Sequence, residues 1–389
     1  MISTRIRIGS IILAGGFVCG HGWRYYRRFR MHHHAPTRLI LFFVVIPLLA
    51  PFQAAAGPQG SYANRPLPVF ELHSGFWINL HHSLYQEARE RKERSQKEKD
   101  ARDSQKSSKS SADTKPALTA AERKIWNEAV SFYVAAYADK DLQFSTELAQ
   151  LKDQLGDFED CDELSGRVRK FCDAGLPPQL TQILESAAPV YRARIWPEQD
   201  RANRGWIARV SPLVISQGVA ISERLAEIYQ ARWPRQKIRV DVTSYASWAG
   251  AYTTTDPLRV TISSLDTRNQ GTPALEVLFH EASHGIAEPV QAAIIRECRQ
   301  RDKAIPRDLW HALVFYTTGE VIRPILAASV PSDGSIKGSA QGYTPYAMRE
   351  GIYQRSWNEY LQLLQRFWLP YLNGSVSFED AVAHMVSAL

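Results

Sequence analysis

Two histidines four residues apart, with an acid beside the first, interrupt an otherwise apolar stretch: Leu275-Glu276-Val277-Leu278-Phe279-His280-Glu281-Ala282-Ser283-His284. On a helix, residues i and i+4 lie on one face, one turn apart. The stretch therefore has to fold so that both imidazoles reach the same place. Thr272-Pro273 supplies an N-cap and a proline at the first helical position, so a helix is expected from Ala274 to about Ala287. Leu275, Leu278, Phe279, Ala282 and Ile286 make it a core helix, and small Ala282 and Ser283 leave the histidine face uncrowded. The plainer reading, two hydrogen-bonded core histidines, has to be weighed against a metal site.

The chemistry of a metal site fits these residue types. Neutral imidazole nitrogen binds zinc readily, and a reactive site needs three protein ligands with one position left for water. Glu281, next to the first histidine, can reach that water rather than the metal and act as its general base. The spacing is that of an HEXXH motif.

Around this helix the pattern predicts an α+β fold, predominantly helical, with a small antiparallel sheet before the motif. Residues 57–70 are Pro/Gly-rich and read as an extended arm. A helix follows over residues 73–92, with Phe76, Leu80 and Leu84 on one face. Glu87–Lys115 is a charged run that decays into Ser and Lys, a solvated helix and linker. Thr119-Ala120-Ala121-Glu122 is a capping box, and it opens a helix carrying Trp126, Val130, Tyr133 and Tyr137. Helical periodicity continues through residues 142–155, 178–194 and 203–232. Lys237–Thr243, Ala251–Thr255 and Leu258–Ser263 alternate and are β-branched, with a turn at Asp256-Pro257. Beyond the motif come helices at about 289–302 and 307–328, a loop over 329–346, and helices at 347–369 and 377–388. The expected organisation is a leader (1–56), an arm and helix (57–86), the charged helix and linker (87–117), a helical region (118–235), and a catalytic core with a helical tail (236–389).

Residues 237–328 resemble the core of the gluzincin metallopeptidases. The resemblance rests on His280-Glu281-Ala282-Ser283-His284 and, more loosely, on the segment from Leu309 to Glu320. It implies a zinc-dependent hydrolase that cleaves peptide bonds, with an edge strand, here Leu258–Ser263, binding the substrate backbone. It also implies an acid on a downstream helix as third zinc ligand, here Glu320. His311, Glu288 and Asp308 are the alternatives. His311 and Glu320 are nine residues apart, about 180° round a helix, so one straight helix cannot turn both to one metal. Tyr343 and Tyr346, with His311 behind them, are candidates for the donor that stabilises an oxyanion. The longer gap to Glu320 and the missing Asn-Glu pair depart from the family pattern. No third histidine follows soon after the motif, since residues 285–291 read GIAEPVQ. His73, His81 and His82 lack any ligand spacing to an acid and read as core or capping residues.

The net charge of +7 carries no partner information. Residues 1–56 contain seven arginines and no acid, which leaves 40 basic and 40 acidic residues in 57–389. Nucleic acid is therefore not an expected partner; a peptide or protein substrate is. Arg38, the apolar run Leu39–Ala50 and Ala54-Ala55-Ala56 read as a secretory signal cleaved after Ala56, implying a secreted or periplasmic protein. Met31 is an alternative start, and the membrane enters only if the leader stays as an anchor. Export permits a disulfide between Cys161 and Cys172 and leaves Cys298 as a buried thiol. The competing reading is a non-catalytic envelope scaffold with a degenerate core, in which the charged 87–115 segment is a partner-binding arm.

Overall fold

β-Branched alternation and apolar helical stripes build the two kinds of layer here. The computed structural model describes residues 69–103, 118–328 and 343–389. The leader, most of the Ser/Lys-rich linker and most of the 329–346 loop lie outside the described residues.

Among the described residues, strand β1 (Phe70–His73) comes first, then helices α1 (Phe76–Asp103), α2 (Ala120–Ala136), α3 (Thr146–Asp157), α4 (Pro178–Arg194) and α5 (Trp196–Ile228). Strands β2 (Ile238–Thr243), β3 (Ala251–Thr255) and β4 (Leu258–Ser263) follow. Then come α6 (Thr272–Ser283), α7 (Glu288–Gln300), α8 (Leu309–Ala328), α9 (Tyr346–Arg349), α10 (Asn358–Leu363), α11 (Leu369–Leu372) and α12 (Phe378–Ser387). Two π-helical turns, Tyr353–Trp357 and Leu364–Trp368, join α9, α10 and α11. The α+β, mostly helical class is as expected. The Thr119–Glu122 capping box forms with both of its hydrogen bonds. Helix α5 begins at Trp196 rather than residue 203, because Pro197 occupies the first turn, where a missing N–H is tolerated.

The sheet differs from expectation. Its order is β1-β2-β4-β3. β1 and β4 both run parallel to β2, and only β3 and β4 are antiparallel. It is therefore a mixed sheet, in which residues from the expected arm and helix start supply an edge strand. Four residues of alternation are too few to reveal such a long-range pairing. β4, expected at the edge, is interior and paired on both sides, whereas β3 is an edge.

The two faces of the sheet have different surroundings. Ile238, Val240, Val242, Val260 and Ile262 pack into an apolar cluster with Val214 and Ile221 of α5, Leu275 and Phe279 of α6, and Leu313 of α8. The alternate residues carry polar groups. Arg239 bridges Asp241 and Glu159, each at 2.8 Å. Fully buried Lys152 sits 2.9 Å from Asp153 and from the Thr254 hydroxyl. Pairing makes such buried charge tolerable. Tyr252, on the same face, joins a second cluster built from α1 to α4, including Trp77, Tyr133, Leu155 and Tyr191.

Cys161 and Cys172 are disulfide-bonded, and Cys298 is a buried free thiol. No described helix is long and apolar enough to cross a membrane.

Candidate metal centre

Helix α6 opens at Gly271, whose φ of +61° favours glycine, with Thr272 and Pro273 in its first turn. It ends at Ser283, so His284 is its C-cap and the expected extension to Ala287 does not form. The chain then turns at Gly285, where an added Cβ would lie 2.6 Å from the Leu258 side chain. That close approach seats the end of α6 on β4.

His280, His284 and His311 converge. Their candidate ligand atoms all lie within 4.8 Å of one another, and the group can hold a metal ion. Ring centroids are 5.0 to 5.3 Å apart. His280 Nε2 faces His311 Nε2 at 3.3 Å. Either one nitrogen donates to the other, or both aim lone pairs at a common cation. His280 Nδ1 is buried without a partner. An aromatic wall surrounds the group. Phe315 stacks on His280 at 3.6 Å, Trp310 packs against His284 and His311, and Trp357 packs against His311.

Burial decides the protonation of these rings. It holds His280 well below the usual imidazole range, aided by His284 and His311. It lowers His284 to about 4, and it lowers His311 to about 3 with help from His284. Three neutral imidazoles at neutral pH are what metal ligation requires.

The expectation that Glu320 completes the set is corrected. Both residues belong to α8, and that helix turns His311 toward α6. Glu320 is not in the cluster; its carboxylate pairs with Arg323. It lines a separate cavity of about 410 Å³ with Arg224, Val321 and Leu369. The half-turn between the two residues makes these placements mutually exclusive. Glu288 and Asp308 are not in the cluster either.

Glu281 is buried and makes no ion pair among the described residues. The Thr253 hydroxyl lies 2.7 Å from its Oε2 and 2.9 Å from its backbone carbonyl. Burial raises the carboxyl to about 7, against the opposing effect of Thr253. Edge strand β3 therefore passes beside the motif and holds its acid.

The tyrosines take other roles. Tyr343 donates its hydroxyl to Glu276, and the Tyr346 backbone N–H lies 2.9 Å from both Glu276 oxygens. The Tyr346 ring stacks on Phe315, one ring removed from His280. Tyr343 is thus a tether for the segment entering α9, and its hydroxyl is not aimed at the histidines. Glu276, one turn before His280, was missed from sequence. An isolated acid in the run Leu275–Phe279 was its available signal. Thr253 and Phe315 had none, since only packing brings them to the motif. His81 and His82 are core residues, bonded to Tyr133 and Tyr252 respectively.

Comparison with protein-family models, curated proteins and solved structures finds no match.

Proposed function

We propose that the chain is a zinc-dependent hydrolase, specifically a metallopeptidase of HEXXH type, secreted or periplasmic, acting on peptides or proteins. The observation that carries the reading is three neutral imidazoles converging beside a buried carboxylate. A tetrahedral zinc with nitrogens at about 2.0–2.1 Å sets two ligand nitrogens roughly 3.3–3.4 Å apart. The His280–His311 separation of 3.3 Å fits that figure. With Nδ1 buried and unpartnered, the contact to His311 is the only hydrogen bond of the His280 ring among the described residues.

His280, His284 and His311 would hold the ion. Bound zinc would supply Lewis acidity and lower the pKa of an adjacent water. Glu281 takes the proton of the attacking water and passes it to the leaving nitrogen. A carboxyl raised to about 7 suits both halves of that transfer. Thr253 fixes the carboxylate's orientation. The outer edge of β3 beyond Ala251, whose carbonyl already accepts from Gln143, and not β4, accepts the substrate backbone by strand pairing. The Cys161–Cys172 disulfide supports an oxidising compartment.

The test pairs metal analysis of the purified protein with Glu281→Gln assayed on a broad peptide library. Stoichiometric zinc in both proteins and loss of turnover in the variant are expected. Full peptidase activity in the variant, or a wild type that binds no metal, overturns the proposal.

A further inference from the structure

The loop closed by Cys161 and Cys172 has no part in the metal centre, yet it is densely braced. The Glu163 carboxylate accepts the backbone N–H groups of Arg167, Val168 and Arg169 at 3.0, 2.6 and 2.6 Å. Glu185 accepts those of Leu164 and Ser165 at 2.9 Å. Ser165 pairs with Asp173 in an isolated bridge, and the disulfide ties the base. A loop with this many internal bonds has little conformational entropy left to lose on binding.

Its tip faces outward completely. Arg167, Val168, Arg169, Lys170 and Phe171 are all exposed. Val168 is 85% and Phe171 74% accessible, the two most exposed large apolar side chains among the described residues. None of the three basic side chains makes an ion pair among the described residues. Of the acids near the loop, Glu163 is held by backbone N–H groups, Asp162 lies toward Arg192, Asp173 accepts the Gly175 N–H, and exposed Asp160 precedes the loop. Residues 57–389 as a whole are charge-balanced, so this basic, apolar tip is a local feature.

We propose that this tip docks the protein on an anionic lipid surface. Val168 and Phe171 would enter the interfacial region while Arg167, Arg169 and Lys170 meet the headgroups. An acidic peptide would need a groove for its side chains, and side chains this accessible stand off the surface instead. Apolar groups flanked by unpaired cations are the combination that an anionic bilayer rewards, through apolar burial and surface potential together. This inference does not depend on the hydrolase reading.

The test is co-sedimentation of the full-length chain with vesicles of phosphatidylglycerol and phosphatidylcholine, and with phosphatidylcholine alone. Anionic vesicles are expected to bind it more tightly, with affinity falling as salt rises. Each basic residue contributes about fivefold. The triple variant Arg167→Glu/Arg169→Glu/Lys170→Glu should therefore lose at least about a hundredfold. Val168→Ser/Phe171→Ser should lose about tenfold or more. An environment-sensitive dye on Val168→Cys, in a Cys19→Ala/Cys298→Ala background, should shift to the blue on anionic vesicles only. That readout comes from the tip and excludes binding through residues 1–56. Variants that bind like the wild type, a dye that does not shift, or tighter binding to polyglutamate unaffected by Val168→Ser/Phe171→Ser would overturn the proposal, the last in favour of an acidic protein partner.

Discussion

His311 and Glu320 compete for one role, and single substitutions separate them. His311→Ala removes a nitrogen from the cluster and should lower bound metal at least about tenfold by elemental analysis. Glu320→Ala should leave the stoichiometry unchanged, because that carboxylate faces Arg323. Glu276 offers a pH signature. Burial raises its carboxyl from 4.5 to about 7, opposed by Tyr343, the Tyr346 N–H and Arg349, with Glu320 acting in the same direction as burial. Between those values the folded protein keeps a proton that the unfolded chain has released. The stability due to this group is full below pH 4.5 and is lost as pH rises through about 7. The loss amounts to at most roughly 3 kcal/mol. The three buried histidines act in the opposite sense, losing stability as pH falls below 6.5. Comparison of Glu276→Gln with wild type cancels them. Urea unfolding should show the wild type losing more stability than the variant between pH 5 and pH 8. Parallel profiles would mean that Glu276 does not titrate in this window.

At the scale of elements, the approach of α8 to the segment before α9 is set by Gly319. A Cβ there would lie 2.5 Å from Pro345 Cβ and 3.1 Å from Glu276 Oε1. Gly319→Ala should cost about 1–3 kcal/mol through this overlap, although alanine is the better helix former by about 1 kcal/mol. A lower Tm by calorimetry is expected; a higher one would show that helix propensity outweighs the contact. The positions of β2, β3 and β4 are legible to within a residue: Ala251–Thr255 and Leu258–Ser263 are expected at the bounds observed. Their partners were not legible. Alternation marks which residues face a core, and it is the same for parallel and antiparallel neighbours. So the pattern places β4 at the edge, and β1, four residues long, falls between the end of the expected arm and the start of the expected helix.

At the scale of the whole molecule, the Cys161–Cys172 link closes a short loop, and chain entropy assigns it about 3 kcal/mol. Cys161→Ser/Cys172→Ser should unfold several degrees lower in a thermal scan, and reduced wild type should match it. A variant with an unchanged Tm would show that the Glu163 and Glu185 hydrogen bonds suffice to hold the loop. What the sequence determined by itself is local. The helical periods, the capping box and the shared face of His280 and His284 follow from fixed rise and rotation per residue. Nearness along the chain makes a Cys161–Cys172 pairing possible, and the fold is what brings the two sulfurs together. Tertiary structure alone decided the third imidazole, the tether at Glu276 and the strand beside Glu281. Helix geometry presents His311 and Glu320 on opposite sides of α8 with equal right. Only the rotation of α8 against α6, set by side chains far apart in sequence, turned His311 inward.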